Sequence, residues 1–217
     1  MNIPLYIIGA GSVGGHVACN FSGYHLSGYT LTGFLDDDPG KQGEDFYGYP
    51  VLGNTGEALE LESAGIVLGI AFPSAKAAIA ERLSANKNLE YPVLIHEKAW
   101  VSREVTIGRG SIVYPGTAIN YGSSVGNFVI CNMNCSLGHH TTVKNFASLA
   151  PGVNTGGHTT IGEGVDVGIG SSTLQNVVIG NYSVIGGQAM VTRSIPARSV
   201  AVGVPANVIR NTGDESV

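Results

Sequence analysis

IGRGSIVYPGTAINYGSSV, residues 107–125, carries a six-residue beat that continues to Val191. Stepping by six from Ile107 gives Val113, Ile119, Val125, Cys131, Leu137, Val143, Leu149, Thr155, Ile161, Val167, Thr173, Ile179, Ile185 and Val191. Twelve of these fifteen positions are Ile, Leu or Val, whereas the position one later holds a single such residue, Leu174, and eight glycines, so the phase is specific. Two residues before each anchor, from Val105 to Ala189, only Val, Ser, Thr, Ala and Cys occur. Neither a helical period of about 3.6 nor simple alternation places large and small inward positions in a period of six. Short flat strands joined by turns do, and such a hexapeptide repeat predicts a parallel β-helix whose coils stack at about 4.8 Å.

Outside the repeat the chain obeys different rules. Residues 1–100 carry sixteen charged side chains, but residues 105–192 carry only Arg109, Lys144, Glu163 and Asp166. Leu5-Tyr6-Ile7-Ile8 reads as an apolar strand entering the GxGxxG turn Gly9 to Gly14, then a helix through Cys19. A second strand, Leu31 to Leu35, ends in Asp36-Asp37-Asp38, and Ile66 to Ile70 and Ser74 to Leu83 read as a further strand and helix. Glycines let backbone approach a phosphate at a helix N-terminus, and an acidic residue some 20 positions on can hold a ribose hydroxyl. The expected unit is a small Rossmann-like βαβ nucleotide-binding domain.

Composition narrows the function. Only 12% of the 217 residues are charged, against about a quarter in ordinary chains, which fits a neutral surface or one covered by partner subunits. A net charge of -5 with no basic run removes the electrostatic footprint of nucleic-acid binding. The N-terminus has no basic region ahead of its apolar run, so no signal peptide is expected, and no stretch approaches the ~20 apolar residues of a membrane span. Cys19, Cys131 and Cys135 read as reduced thiols of a cytoplasmic protein, the last two on inward phases of the repeat.

Hexads written Ile-Gly, at Ile107, Ile161, Ile179 and Ile185, resemble those of the left-handed β-helix acyltransferases, in which three hexads make one coil of eighteen residues. The order of the parts is similar to that of the NeuD/PglD-type sugar O- and N-acetyltransferases: residues 1–92 as the Rossmann-like domain, 93–104 as a linker, 105–200 as the β-helix and 201–217 as a tail containing Val202-Gly203-Val204-Pro205-Ala206. The resemblance implies acetyl-CoA as co-substrate, a homotrimer with the coenzyme between subunits, a nucleotide sugar held by the first domain, and no resident metal. It places the phosphate turn on Gly9, Gly11, Ser12 and Val13, the uridine-contacting acidic pair on Asp36 and Asp37, and the glycine beneath the nucleotide at Gly69. The base falls on His139, and acetyl-CoA contacts fall on Gly157, Ile169 and Gly187.

Two positions depart from the family pattern. His140 stands where the family usually has an acidic partner of the base, and Ser148 stands where a second histidine often meets acetyl-CoA. Adding one coil of eighteen to His139 gives Gly157, which would leave room for a thioester beside the base, with the Gly157 N–H aimed at the developing oxyanion. The same step takes His140 to His158. The implied activity is N-acetylation of a UDP-linked 4-amino sugar in bacterial surface-glycan synthesis. Three alternatives stand beside it: O-acetylation of a sialic acid or other sugar, a His-ligated metal enzyme reminiscent of the gamma-class carbonic anhydrases, and a non-catalytic trimeric sugar-nucleotide-binding protein.

Overall fold

The computed structural model describes residues 2–213. The chain forms two compact units that meet in sequence between Leu94 and Ile95. In the first, β1 (Ile3–Ile8) leads into α1 (Ser12–Cys19), followed by β2 (Tyr29–Leu35), β3 (Asp45–Phe46), β4 (Tyr49–Gly53), β5 (Ala64–Leu68), α2 (Pro73–Leu83) and β6 (Leu89–Glu90). The strands lie in the order β3-β4-β2-β1-β5-β6, all neighbours parallel except the β3–β4 hairpin. Leu5, Ile7, Ile8, Phe34 and Ile66 are fully buried, as expected for strands covered on both faces, and so is Val17 on α1. The hairpin lacked a sequence signal beyond Gly48. Its turn holds Tyr47 and Gly48 both at positive φ, 54° and 83°, as a tight hairpin turn requires.

Two glycines of the GxGxxG turn serve packing. A Cβ on Gly14 would run into the Gly9 carbonyl, and one on Gly69 would sit 2.7 Å from the Gly14 Cα. Bare backbone at Gly14 and Gly69 therefore seats α1 against the end of β5.

The second unit is a three-faced parallel β-helix. On its faces the register advances by eighteen residues per coil: Ile112 pairs Ile130, Ala118 pairs Ser136, and Ser124 pairs Thr142. The anchors fill the interior as one cluster that includes Val113, Ile119, Leu137, Val143, Ile161 and Ile185. Small residues two positions before each anchor are needed where the chain turns, and many carry a hydroxyl for a stated reason. Ser111 Oγ donates to the Gly126 carbonyl at 2.7 Å and accepts from the Val129 N–H at 2.9 Å; Ser123 does the same with Gly138 and Thr141, both at 3.1 Å. Each buried hydroxyl thus satisfies two backbone groups of the next coil, which would otherwise be costly to bury. Two of the three anchors outside the Ile/Leu/Val set, Thr155 and Thr173, meet the hydroxyls of Thr141 and Thr159 at 3.0 and 2.9 Å.

The stretch read as a linker, 93–104, carries the strands Leu94–Ile95 and Trp100–Val101. Trp100 N–H donates to the Thr117 carbonyl at 2.9 Å and Ser102 N–H to that of Ile119 at 3.0 Å, so stacking starts before Val105. Val101 keeps the anchor phase, but Glu97, Lys98, Arg103 and Glu104 around it hid the repeat under charge. At the other end the step shortens to sixteen, with Val184 opposite Val200, and Asn207–Asn211 pairs antiparallel with Ser199–Val202. That hairpin occupies most of the expected tail and covers an edge that would otherwise be open to pairing; residues 214–217 lie outside the described residues.

Leu137 is 1% exposed in the middle of the stack. Leu137→Ala is expected to cost about 2–5 kcal/mol, read as a lowered midpoint of chemical unfolding.

Candidate active site

His139 and His140 sit at one corner of the β-helix, immediately after the Ser136–Leu137 strand. Gly138 leads into the corner under the next coil: a Cβ there would lie 2.7 Å from the Gly157 nitrogen. The residues at this corner form two columns. In one, Tyr121, His139 and Gly157 follow one another at eighteen-residue steps; in the other, Gly122, His140 and His158 do. A Cβ built on Gly157 would lie 2.6 Å from His139 Nε2, so the imidazole edge lies directly under a bare backbone. No acceptor among the described residues takes up the Gly157 N–H. The coil arithmetic that paired His139 with Gly157 and His140 with His158 is borne out in the geometry.

Beneath His139, the Tyr121 ring stacks at 5.6 Å between centroids and 13° between planes. His139 Nδ1 lies 3.1 Å from His140 Nδ1, within hydrogen-bonding distance. His140 in turn stacks on His158 at 4.8 Å and 8°. With Nδ1 engaged, the free nitrogen of His139 is Nε2, the atom that faces Gly157. Tyr121 was not read from the sequence, although stepping back one coil from His139 reaches it.

The other coenzyme candidates lie elsewhere on the β-helix. Ile169 is 60% exposed, and a Cβ on Gly187 would lie 3.3 Å from its carbonyl oxygen, so these two stack in a single column at a different corner. Ser148 lies on a face, paired with Ile130 and Asp166, and is buried. Within one chain the structure does not bring these residues to His139. Cys131 and Cys135 face inward, and burial pushes the Cys135 thiol up to about 11, so it cannot be a thiolate nucleophile.

In the first unit, a cleft of about 220 Å³ at the strand ends is lined by Ile8, Gly9, Asp36, Asp37, Thr55, Ile70 and Ile79. Gly11, Ser12, Val13 and Gly69 are not among its lining residues. Gly11 precedes α1 with open space around it, Ser12 is exposed, and Val13 is buried. Asp36 and Asp37 are already engaged within the protein. Asp36 Oδ2 accepts the Ala10 N–H at 2.8 Å and Lys41 Nζ at 3.0 Å, and Oδ1 accepts the Asp38 N–H at 2.9 Å. Asp37 accepts the Thr55 N–H at 2.9 Å and hydroxyl at 2.7 Å, and its other oxygen faces Arg82 at 3.4 Å. Asp36 therefore fastens the glycine-rich turn, while Asp37 is the more open carboxylate.

Burial works to raise the Asp36 carboxyl, but the N–H donors of Asp38 and Ala10 and the Lys41 ammonium outweigh it and hold it below the ordinary value. A carboxylate held below its unfolded value stabilises the fold fully above about pH 4 and loses that contribution as pH falls through its folded value. Unfolding midpoints followed against pH should therefore show wild type more stable than Asp36→Asn at neutral pH, with the gap closing in acid.

The comparisons with known proteins bear on the fold and the family. Residues 4–83 match the family model described as the PglD N-terminal domain. The acetyltransferase domain of PglB from Neisseria gonorrhoeae FA1090, solved in complex with acetyl coenzyme A, is 31% identical, with 96% of this chain and 100% of that one covered at a TM-score of 0.88. A histidine-to-asparagine variant of perosamine N-acetyltransferase from Caulobacter crescentus, in complex with CoA and GDP-perosamine, is 25% identical over 96% of this chain and 97% of that one, at a TM-score of 0.85. WeeI from Acinetobacter baumannii AYE, 24% identical over 96% and 100% of the two chains, shares the fold at a TM-score of 0.85. No curated protein sequence matches the chain. No helix among the described residues is long and apolar enough to cross a membrane. A Rossmann-like βαβ unit followed by a hexapeptide β-helix, matched over 96% of its length by an acetyl-CoA-bound relative, places this chain in the PglD/NeuD-type family of acetyl-CoA-dependent sugar acetyltransferases.

Proposed function

We propose that the protein transfers the acetyl group of acetyl-CoA to the amino group of a nucleotide-linked 4-amino sugar, UDP-linked by the family resemblance, in bacterial surface-glycan synthesis. The observation that carries the reading is His139 Nε2 lying beneath Gly157 while Nδ1 meets His140. His139 is the base. The sugar amine attacks the thioester carbonyl, and His139 Nε2 takes the proton that the nitrogen loses. The Gly157 N–H holds the oxyanion of the tetrahedral intermediate, which collapses by expelling the CoA thiolate; the imidazolium then returns its proton to that sulfur. No covalent enzyme intermediate is needed.

His140 takes the positioning task that an acidic residue has elsewhere in the family. Its Nδ1 accepts from His139 Nδ1–H, which fixes the tautomer with a free lone pair on Nε2. A neutral imidazole acceptor stabilises the developing imidazolium less than a carboxylate would. The relatives' bound ligands support the substrate classes: acetyl coenzyme A in one, CoA with GDP-perosamine in the other, the latter captured in a variant with a histidine replaced. In the first unit the cleft offers Ile70 and Ile79 as apolar walls for a base and Asp37 as an accessible acceptor. Ile169 and Gly187 lie at a different corner from His139, and this supports a homotrimer in which the coenzyme site is completed by a neighbouring copy.

Acetylated product, measured with purified protein, acetyl-CoA and a panel of UDP- and GDP-linked 4-amino sugars plus free sialic acid, tests the reading. One amino-sugar nucleotide is expected to turn over; turnover of sialic acid alone would replace amine by hydroxyl transfer. His139→Ala should lower kcat by about 10²–10⁴ with nucleotide binding intact, and His140→Ala should lower it less. Gly157→Ala, whose Cβ would press on the base, should cost about 100-fold in kcat while the unfolding midpoint barely moves. Unchanged turnover in His139→Ala would remove the base from the mechanism.

A further inference from the structure

We infer that His139, His140 and His158 together form a transition-metal site, and that a divalent ion such as Zn²⁺ bound there switches acetyl transfer off. The switching part rests on His139 being the base; the metal site does not. Each of the three rings offers a nitrogen, and the three atoms lie within 4.8 Å of one another. Two ligand nitrogens on a tetrahedral zinc at 2.0–2.1 Å are about 3.3 Å apart. The Nδ1 atoms of His139 and His140 are already at 3.1 Å. His158 comes from the coil above, its ring parallel to His140 and its centroid 5.0 Å from that of His139. Both His140 and His158 are exposed, so their side chains have room to turn toward a shared ion.

The frame beneath these rings is fixed. His140 N–H donates to the Tyr121 carbonyl at 3.0 Å and His158 N–H to the His139 carbonyl at 2.9 Å. His140 and His158 share the same left-handed corner conformation, φ 57° and 58°. Three imidazole donors from a rigid frame leave one position for water and suit ions of borderline softness, Zn²⁺, Ni²⁺ and Cu²⁺, over Mg²⁺ or Ca²⁺, which prefer oxygen. The consequence for catalysis follows from the imidazole itself. A ring ligated through Nδ1 and still neutral carries its one proton on Nε2. The nitrogen under Gly157 then donates instead of accepting and cannot take the amine proton. The ion also displaces the His139–His140 hydrogen bond.

The test uses the full chain bearing Cys19→Ser, since Cys19 is the one exposed cysteine among the described residues, stripped with chelator and titrated calorimetrically with Zn²⁺. One ion per chain is expected, with affinity at least about tenfold weaker in His158→Ala. Visible spectra of the Co²⁺ form should report nitrogen ligation that the same substitution removes. Acetylated product should fall in step with zinc occupancy and return on chelation, and the inhibitory midpoint should rise about tenfold in His158→Ala, whatever its metal-free rate. Binding that His158→Ala leaves unchanged, or no binding below about 1 mM, overturns the site. Full occupancy with undiminished product formation overturns the switch. Zinc binding lost in His158→Ala, alongside normal turnover in His139→Ala, upholds the metal site and faults the base assignment instead.

Discussion

The body of the second unit depends on one constraint: until its last turn, each coil must hydrogen-bond to the coil eighteen residues away with no slip. The pairings Ile112 to Ile130, Cys131 to Leu149 and Leu149 to Val167 show the step held across successive coils. Apart from turn bonds at the corners, such as Thr141 N–H to the Gly138 carbonyl at 3.3 Å, the backbone groups of a coil find their partners in the coils above and below, and the side chains permit that stacking. Anchors fill the interior, hydroxyls at the small positions tie off carbonyls of the next coil, and glycine follows the anchor wherever a Cβ would strike the coil above. The same step turns a one-dimensional sequence into columns at each corner.

The histidine corner is a direct product of those columns. His139 is confined between the ring of Tyr121 and the bare backbone of Gly157, and that arrangement turns its Nε2 toward Gly157. The two polar anchors Thr155 and Thr173 lie on the face beside this corner, with Gly138 N–H donating to Thr155 Oγ1 at 3.0 Å. The stack is thus held by hydrogen bonds as well as apolar packing where the chemistry is proposed to occur. An acetyl group, an imidazole and an N–H donor can be aligned there without any loop movement, which is how pre-organised electrostatics lower a barrier.

The first unit solves a different problem. Its glycine-rich turn is braced from within by Asp36, and the helix it starts rests on the sheet through Gly14 and Gly69. Residues that a motif reading assigns to ligand thus divide between those that build the turn and those that remain accessible. Asp36 and Gly69 belong to the first group, Asp37 and Ser12 to the second. A motif fixes where backbone must bend and pack tightly, and only the groups that packing leaves over remain accessible.

The sequence by itself determined the β-helix, its phase, the inward placement of Cys131 and Cys135, and the pairing of His139 with Gly157. Period and register are one quantity in a stacked solenoid, so counting residues is equivalent to measuring along the axis. It also marked the strand, turn and helix of the first unit, through apolar runs bounded by glycine. Only the tertiary structure decided where stacking begins, because Trp100 and Ser102 join the first coil through backbone bonds that surrounding charged side chains do not report. It alone revealed the capping hairpin of Ser199–Val202 and Asn207–Asn211, where the step changes to sixteen. And it alone gave the contact between the two Nδ1 atoms of adjacent His139 and His140: neighbours in sequence normally point apart, and these meet because the chain turns a corner between them, with His140 in a left-handed conformation.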